Sequence, residues 1–211
     1  MATETVRGKQ VIIHFDGERC IHSRHCVLGR PDVFVPNVEG EWIHPDAAPP
    51  EAIAHIAMSC PSGAIRYEFV DGHAAETAPV VNTVRLRENG PLAFDAALTI
   101  AGAADGFRAT LCRCGASARK PWCDGSHAES GFHATGEAAI QKSEALAARD
   151  GPLTIDPQKD GPLKVSGNLE IVSGTGHTLN RVIETFLCRC GHSKNKPYCD
   201  GSHRKVGFVS G

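Results

Sequence analysis

The sequence has few aromatic residues, no long hydrophobic run and no nucleotide-binding loop. Phe, Trp and Tyr make up 6% of the 211 residues, and every apolar stretch is far shorter than the roughly 18–20 residues that span a bilayer. The first ten residues, MATETVRGKQ, lack the apolar core of a signal peptide. No Gly-rich phosphate loop or dinucleotide fingerprint occurs. We therefore expect a soluble cytoplasmic protein without a membrane partner.

The sequence also lacks an excess of charge of either sign. It carries 22 Lys and Arg against 24 Asp and Glu, a net charge of −2, which does not indicate a nucleic-acid partner. Residues 1–78 hold 6 basic and 11 acidic side chains, whereas residues 79–211 hold 16 and 13. This asymmetry could help to dock a protein partner, but an ordinary solvated surface is the simpler explanation.

Cysteine, by contrast, is abundant, with nine residues. Because a reducing cytoplasm disfavours disulfides, clustered cysteines there are more often metal ligands or redox thiols. The 22 Gly and 13 Pro residues predict many turns and short strands. Small domains of this kind bury little apolar surface, so a bound metal would add to their stability.

Six of the nine cysteines lie in an internal duplication. The segments CRCGASARKPWCDGSH (112–127) and CRCGHSKNKPYCDGSH (188–203) have identical cysteine spacing and lie 76 residues apart. Each copy is preceded by Gly-Pro-Leu and followed by Gly-Phe, at residues 90–92 and 161–163, and at 131–132 and 207–208. A repeat of this length predicts two copies of one small structural unit.

The sequence around each copy is typical of β-structure. Short alternating runs between Gly, Pro and Asp turns predict hairpin strands, at residues 80–87, 92–100, 107–114, 153–156, 163–172 and 183–190. Residues 137–150, between the copies, predict a helical connector that ends at Gly151-Pro152.

The repeated motif places soft metal ligands at workable spacings. Side chains alternate along a strand, so Cys112 and Cys114 should project to the same side. His127 follows Cys123 by four residues, which is one helical turn, and Asp124 could cap the free N–H groups of that turn. The second copy repeats this set with Cys188, Cys190, Cys199, His203 and Asp200. Three Cys and one His can also bind zinc, but zinc sites usually pair cysteines as C-x2–4-C, so iron–sulfur chemistry is favoured and zinc stays open.

Both segments contain the pattern C-x-C-x2-S-x3-P-x-C-D-G-S-H and resemble the CDGSH iron–sulfur domain of the mitoNEET type. The resemblance implies one [2Fe–2S] cluster on Cys112, Cys114, Cys123 and His127. It implies a second on Cys188, Cys190, Cys199 and His203. It also implies a β-rich fold in which two such domains pair across a two-fold axis. Because this chain contains the motif twice, we expect a monomer that forms this pair within itself. The sequence shows no counterpart of mitoNEET's transmembrane anchor, so we do not expect membrane attachment.

Two further pairs of polar residues in the motif have open roles. Ser117 and Ser193 could donate hydrogen bonds to cluster sulfur or simply shape the turn. Lys120 and Lys196 could adjust the charge near the cluster or only solubilise the loop.

A different cysteine pattern occupies the first 70 residues. Cys20 and Cys26 precede a remote Cys60-Pro61, between predicted strands at residues 11–15 and 65–69. EWIHP (41–45) predicts a possible third strand, and PPEAIAHIAM (49–58) predicts a helix. The segment resembles a divergent single-cluster ferredoxin, whose loop has the pattern C-x2-C-x2-C with a remote C-P. In that alignment Ser23 stands where the second cysteine belongs.

Three thiolates are enough for a [3Fe–4S] cluster, which we favour. A [4Fe–4S] cluster would need Ser23, His22, His25 or water on the fourth iron, and a hydroxyl is a poor ligand for a soft metal site. Three unrelated buried cysteines form a third alternative, since free Cys is often simply buried.

Together these patterns predict an α+β protein with an N-terminal ferredoxin-like domain and two CDGSH domains in an intramolecular pseudo-two-fold pair. The domains should span residues 1–78, 79–136 and 153–211, with a connector at 137–152. We expect an electron carrier rather than an enzyme, with protein redox partners. The alternatives are cluster storage or transfer to apo-proteins, and redox or iron sensing. Histidine ligation should raise the cluster potential and couple it to pH.

Overall fold

The computed structural model describes residues 3–72 and 76–210. The chain divides into two compact units, Met1–Thr77 and Ala78–Gly211, termed the N-terminal and C-terminal units below. Across the described residues the secondary structure is mostly β-strand, with few short helices, which confirms a mixed α and β protein. None of the described helices has the length and apolar character needed to cross a membrane.

The N-terminal unit is built on a three-stranded antiparallel sheet in the order β1-β2-β3. Its elements are β1 (Glu4–Arg7), β2 (Val11–Phe15), α1 (His25–Gly29), α2 (Pro50–Met58) and β3 (Ile65–Phe69). The predicted strands at 11–15 and 65–69 are confirmed, because alternate side chains such as Val11 and Ile13 enter the core. Strand β1 was not predicted, since its side chains are mostly exposed.

Helix α2 lies just before the third cysteine of this unit. It begins at Pro50, where the missing N–H of proline costs no hydrogen bond. Ile53 and Ile56 pack into the core on one face, as the sequence predicts. The helix ends at Met58, and Cys60 follows after the single C-cap residue Ser59. The predicted strand at 41–45 is wrong: only Ile43 forms an isolated bridge, to Phe34.

The described part of the C-terminal unit, residues 78–210, forms six strands and two short helical turns. They are β4 (Thr83–Leu86), β5 (Leu92–Ile100), β6 (Ala103–Leu111), β7 (Pro152–Pro157), β8 (Leu163–Val172), β9 (Thr178–Leu187), a 3-10 helix (Ser126–Ala128) and α3 (Ser202–Lys205). The predicted strands at 92–100 and 163–172 are confirmed. Their apolar residues form one core with those of the other strands, including Phe94, Leu153 and Ile171.

The two sequence copies exchange strands within this sheet. Strands β5 and β6 form one antiparallel hairpin, and β8 and β9 form the other. Strand β4 pairs antiparallel with β5 of its own copy and parallel with β8 of the other. Strand β7 does the reverse, antiparallel with β8 and parallel with β5. The pairing is therefore reciprocal, and neither copy completes its sheet alone.

The predicted helix at 137–150 is wrong, because the segment contains no regular secondary structure. Its hydrogen bonds go to the sheet instead of to its own preceding turn. The N–H of Gln141 donates to the carbonyl of Leu179 at 2.8 Å, and the Ser143 hydroxyl accepts from the N–H of Arg181 at 3.2 Å. These partners are distant in sequence, so local helix propensity did not reveal them.

Candidate metal centres

The first site consists of Cys112, Cys114, Cys123 and His127, and the second of Cys188, Cys190, Cys199 and His203. Strands β6 and β9 end one residue before each site, at Leu111 and Leu187, and not beyond the ligands as the sequence predicts. The chain then folds back, and an isolated bridge joins Leu111 to Trp122. This bridge places Cys123 beside the strand end that leads to Cys112.

Backbone hydrogen bonds hold this return of the chain in both copies. The N–H of Cys112 donates to the carbonyl of Pro121 at 2.8 Å, and the N–H of Cys123 donates to that of Thr110 at 2.9 Å. The second site repeats both bonds, from Cys188 to Pro197 and from Cys199 to Phe186, each at 2.8 Å. The eight-residue loop therefore returns the chain, so that the third cysteine of each motif lies beside the strand end that leads to the first.

The two cysteines of each C-x-C lie at the separation of two ligands on one metal ion. Their sulfur atoms are 3.7 Å apart in Cys112 and Cys114, and 3.8 Å apart in Cys188 and Cys190. In a tetrahedral site with metal–sulfur bonds of about 2.3 Å, two sulfurs lie roughly 3.8 Å apart. Each pair therefore fits one tetrahedral ion.

The remaining cysteine and histidine of each site form a second pair. The sulfur of Cys123 lies 3.3 Å from Nδ1 of His127, and that of Cys199 lies 3.4 Å from Nδ1 of His203. His127 and His203 lie in the short 3-10 helix and in α3, whereas Cys123 and Cys199 precede these helices, so each pair does not share the single helical turn that the spacing predicts. Nδ1 is therefore the ring nitrogen that faces the sulfur in both copies.

The ligands are arranged two and two, not four around one point. Among the described residues, no three His, Cys, Asp or Glu side chains lie close enough together to hold a single metal ion. Nevertheless Cys123 is an electrostatic neighbour of both Cys112 and Cys114. Two separate ligand pairs suit a dinuclear centre, in which each metal takes two protein ligands, better than a lone zinc ion, which needs four.

Thiolate formation in the first site depends on burial and on N–H donors. A hydrogen bond between the two thiols raises the pKa of Cys112 and lowers that of Cys114 to about 6. Burial raises the pKa of Cys123 to about 11. Backbone N–H groups of Gly115 and Gly125 donate to the sulfurs of Cys112 and Cys123 at 3.3 and 3.4 Å. Metal binding must therefore release protons, and these donors stabilise the resulting charge.

The aspartate after the third cysteine supports the loop without acting as a ligand. Asp124 accepts hydrogen bonds from the N–H groups of Ser126 at 3.0 Å and Ala118 at 2.8 Å. Burial opposes its ionisation, but these bonds prevail and lower the pKa of Asp124 to about 2. Asp200 accepts the equivalent bonds from Ser202 and Lys194, which hold its pKa well below the usual range. The hydrogen bond from Ser126 is the cap that the sequence predicts. The hydrogen bond from Ala118, which ties the carboxylate to the ligand loop, was not predicted.

The hydroxyl of Ser117 has a turn role, the second of its two open alternatives. It donates to the carbonyl of Trp122 at 2.7 Å and accepts from the N–H of Arg119 at 3.1 Å. Lys120 donates from Nζ to the carbonyl of Ser117 at 2.7 Å, so it also fastens the loop. The second copy repeats these contacts with Ser193, Tyr198, Asn195 and Lys196.

The three N-terminal cysteines line one cavity of about 350 Å³. Cys20, Cys26 and Cys60 come from the loop before α1, from α1 itself and from the residue after the α2 C-cap. Burial raises the pKa of Cys20 and of Cys26, and the neighbouring Cys60 raises both further. The structure therefore places all three cysteines on the wall of the same cavity in the N-terminal unit.

The three residues considered for a fourth ligand also line this cavity. Ser23 Oγ lies 3.3 Å from Nδ1 of His25, whereas Nδ1 of His22 lies 4.0 Å from the sulfur of Cys20. His22 and Arg24, on either side of Ser23, both have positive φ, at 52° and 64°. Such φ values are unfavourable for side-chain-bearing residues and are often found at binding sites. Sequence reasoning missed Ser62, whose hydroxyl lies 3.6 Å from the sulfur of Cys60.

Comparison with known proteins agrees with both kinds of site. The family described as "Iron-binding zinc finger CDGSH type" matches residues 70–128 and 160–204. The family described as "Divergent 4Fe-4S mono-cluster" matches residues 6–69. The uncharacterized protein YjdI of Escherichia coli K12 is 33% identical over 61 residues, which are 28% of this chain and 78% of YjdI. The YjdI protein of E. coli O157:H7 gives the same values.

The ligand pairs and these matches define an iron–sulfur protein. More particularly, the chain belongs to the CDGSH iron-binding family, with two copies of the domain, and carries a divergent 4Fe-4S mono-cluster domain at its N-terminus.

Proposed function

We propose that this protein is an electron carrier with two [2Fe–2S] clusters in its C-terminal unit and a [3Fe–4S] cluster in its N-terminal unit. The observation that carries the proposal is the arrangement of each CDGSH site as two ligand pairs, with sulfur–sulfur separations of 3.7 and 3.8 Å. When bound, such clusters accept and release single electrons. The polypeptide holds the thiolates, fixes the ring orientation of His127 and His203, and donates N–H groups to sulfur.

Reciprocal strand exchange supports a pseudo-two-fold pair inside one chain. Each copy lends one strand, β4 or β7, to the hairpin of the other. A single chain thus supplies both halves, so we propose a monomer rather than a homodimer. None of the nine cysteines, all of which lie in the described residues, forms a disulfide, which supports a reducing location such as the cytoplasm.

A cleft between the two sites supports exchange of electrons with outside partners. It has a volume of about 460 Å³ and is lined by Cys114 of the first site and Cys190 of the second. A redox partner that docks there would reach a ligand of either cluster. We therefore propose that protein redox partners, rather than a substrate transformed by this chain, use this surface.

For the N-terminal site we favour [3Fe–4S] because three cysteines line one cavity there and the hydroxyl of Ser23 lies next to His25. The family description names a 4Fe–4S cluster. A [4Fe–4S] cluster, with His22, Ser23, His25 or water on the fourth iron, is therefore the alternative.

Electron paramagnetic resonance of anaerobically purified protein, before and after dithionite, tests these assignments. A signal in the oxidised protein is expected from [3Fe–4S], and signals from the [2Fe–2S] pair should appear only on reduction. An N-terminal signal that appears only on reduction would instead indicate [4Fe–4S]. Absence of any signal from the C-terminal sites after reduction would contradict the proposal.

Storage and delivery of clusters to apo-proteins is a second candidate function. One observation favours it: the side chains of His127 and His203 are only partly buried, so an acceptor could reach the histidine ligands. Incubation of the loaded protein with an apo-ferredoxin separates the two functions. Transfer within minutes would favour delivery, whereas retention with rapid reversible reduction would favour electron transfer.

A further inference from the structure

The residue between the first two cysteines of each CDGSH site is an arginine with a buried side chain. Arg113 is 1% exposed and Arg189 is 2% exposed. Full burial of a guanidinium is rare unless it is paired. The same residue occurs at both copies of the motif, so its burial is not an accident of one loop.

Backbone carbonyls, rather than carboxylates, accept the hydrogen bonds of these arginines. Arg113 donates from Nε to Gly90 at 2.9 Å and from its terminal nitrogens to Thr135 and Ala134, each at 3.1 Å, and to Arg87. Arg189 donates to Gly161 at 3.0 Å and to Gln158 at 2.6 Å. Phe132 and Phe208 lie against the two guanidinium groups, 5.5 and 5.4 Å from ring centre to Cζ. The buried charge is thus stabilised by carbonyl dipoles and aromatic faces.

Each arginine is also an electrostatic neighbour of cysteines in the other copy. Burial lowers the pKa of Arg113 to about 10, while Glu88, Cys188 and Cys114 act in the opposite direction. Burial likewise lowers the pKa of Arg189, and Cys112 and Asp160 oppose it. Cys188 belongs to the second site and Cys112 to the first, so each cation acts on a ligand of the opposite copy.

The two ligand loops meet directly, which brings these charges close to both sites. A Cβ atom added at Gly115 would lie 2.7 Å from the carbonyl oxygen of Cys190. A Cβ added at Gly191 would clash in the same way with the carbonyl oxygen of Cys114. Both glycines have positive φ, at 86° and 82°. Only glycine permits this approach.

We propose that Arg113 and Arg189 are electrostatic bridges between the two clusters, each raising the reduction potential of the cluster in the opposite copy as well as its own. Reduction adds a negative charge to a cluster. A fixed cation in a poorly solvated interior stabilises that charge more strongly than a surface cation does. This inference rests on the two [2Fe–2S] clusters of the proposed function.

The test changes the spectrum of the second cluster, so that the two clusters can be told apart, and removes the arginine from the ligand loop of that cluster. In the variant His203→Cys the second cluster has only thiolate ligands, so its spectrum differs from that of the first. Adding Arg189→Gln should lower the potential of the first cluster, whose own ligand loop is unchanged. We expect reduction of the first cluster to become about tenfold less favourable, which is about 59 mV for one electron. Arg189→Lys, which keeps the charge, should restore most of the potential.

Lys142→Gln removes one exposed charge from the segment between the copies and serves as the control. If Arg189→Gln does not fold, Arg189→Met removes the charge at similar length. Arg113→Gln with His127→Cys tests the reverse direction, from the first copy to the second. A fully loaded first cluster with the potential of the Lys142→Gln control would overturn the inference. Iron and sulfide analysis of the unsubstituted protein tests the clusters themselves separately.

Discussion

The two CDGSH sites have nearly the same ligand geometry but different surroundings. Their sulfur–sulfur separations are 3.7 and 3.8 Å, and their sulfur–nitrogen separations are 3.3 and 3.4 Å. Around them, Arg113 donates to four carbonyls whereas Arg189 donates to two. The comparison teaches that sixteen residues of motif determine where the ligands lie, while the rest of each copy determines their electrostatic environment.

The two copies also differ in one buried position of their hairpins. Glu170 on β8 is 2% exposed and lies where the first copy has Thr99 on β5. It accepts from Arg149 at 2.6 Å and lies 3.7 Å from Arg181. The second copy thereby fastens the segment between the copies to its own hairpin.

The largest expected effect comes from removing one ligand from one copy. Cys123→Ser should abolish the first cluster and leave the second, because each copy supplies a complete ligand set. The protein should lose about two iron atoms and about two sulfides. Cys199→Ser should give the mirror result, and Ser130→Ala, beside the first site, should change neither content. Loss of both clusters from either single variant would show that the copies are not independent in loading.

A smaller effect is expected where the copies touch. Gly115→Ala and Gly191→Ala impose an unfavourable φ and a clash with the carbonyl of the other loop. We expect a loss of about 3 kcal/mol in the free energy of unfolding, measured in urea. Gly102→Ala has a similar φ of 82° but nothing within 4 Å, so it should cost only about 1 kcal/mol. Equal losses in all three variants would argue against close contact of the loops.

The predictions on ligand loss and on loop contact separate what the sequence reveals from what it does not. Cysteine and histidine spacing predicted which ligands come together, although each C-x-C lies beyond the end of its strand and each third cysteine lies before the short helix that holds the histidine. Alternation of apolar residues predicted β5 and β8, and the proline start with Ile53 and Ile56 on one face predicted α2. The parallel pairings of β4 with β8 and β5 with β7 join segments distant in sequence, and no local pattern indicates them. The carbonyl partners of Arg113 were hidden for the same reason.

The asymmetry at Glu170 should appear in the stability of the second copy. The hydrogen bond and charge of Arg149 keep the pKa of Glu170 lowered. Glu170→Gln should therefore reduce the free energy of unfolding by about 1–3 kcal/mol at pH 7. Because the folded pKa lies below the unfolded one, this difference should shrink as the pH falls below about 4. Glu184→Gln removes an exposed ion pair with Lys164 and should cost less than about 1 kcal/mol at either pH. A pH-independent difference for Glu170→Gln would contradict this account.

The smallest expected effect comes from replacement of the histidine ligand. His127→Cys should keep the first cluster but lower its potential by on the order of 100 mV, because a thiolate replaces a neutral imidazole. His203→Cys should shift the second cluster in the same direction. Protein-film voltammetry of both variants against the parent protein measures the shifts. A potential that rises or stays unchanged would mean that His127 is not an iron ligand.

The most direct test of the central claim is the iron, zinc and acid-labile sulfide content of the full chain purified without oxygen. The account predicts about seven iron atoms per chain, four of them lost in the combined Cys123→Ser and Cys199→Ser variant, and no stoichiometric zinc. An N-terminal [4Fe–4S] cluster would raise the total to about eight without changing the four that are lost. Colourless protein with two zinc ions and no labile sulfide would contradict the account.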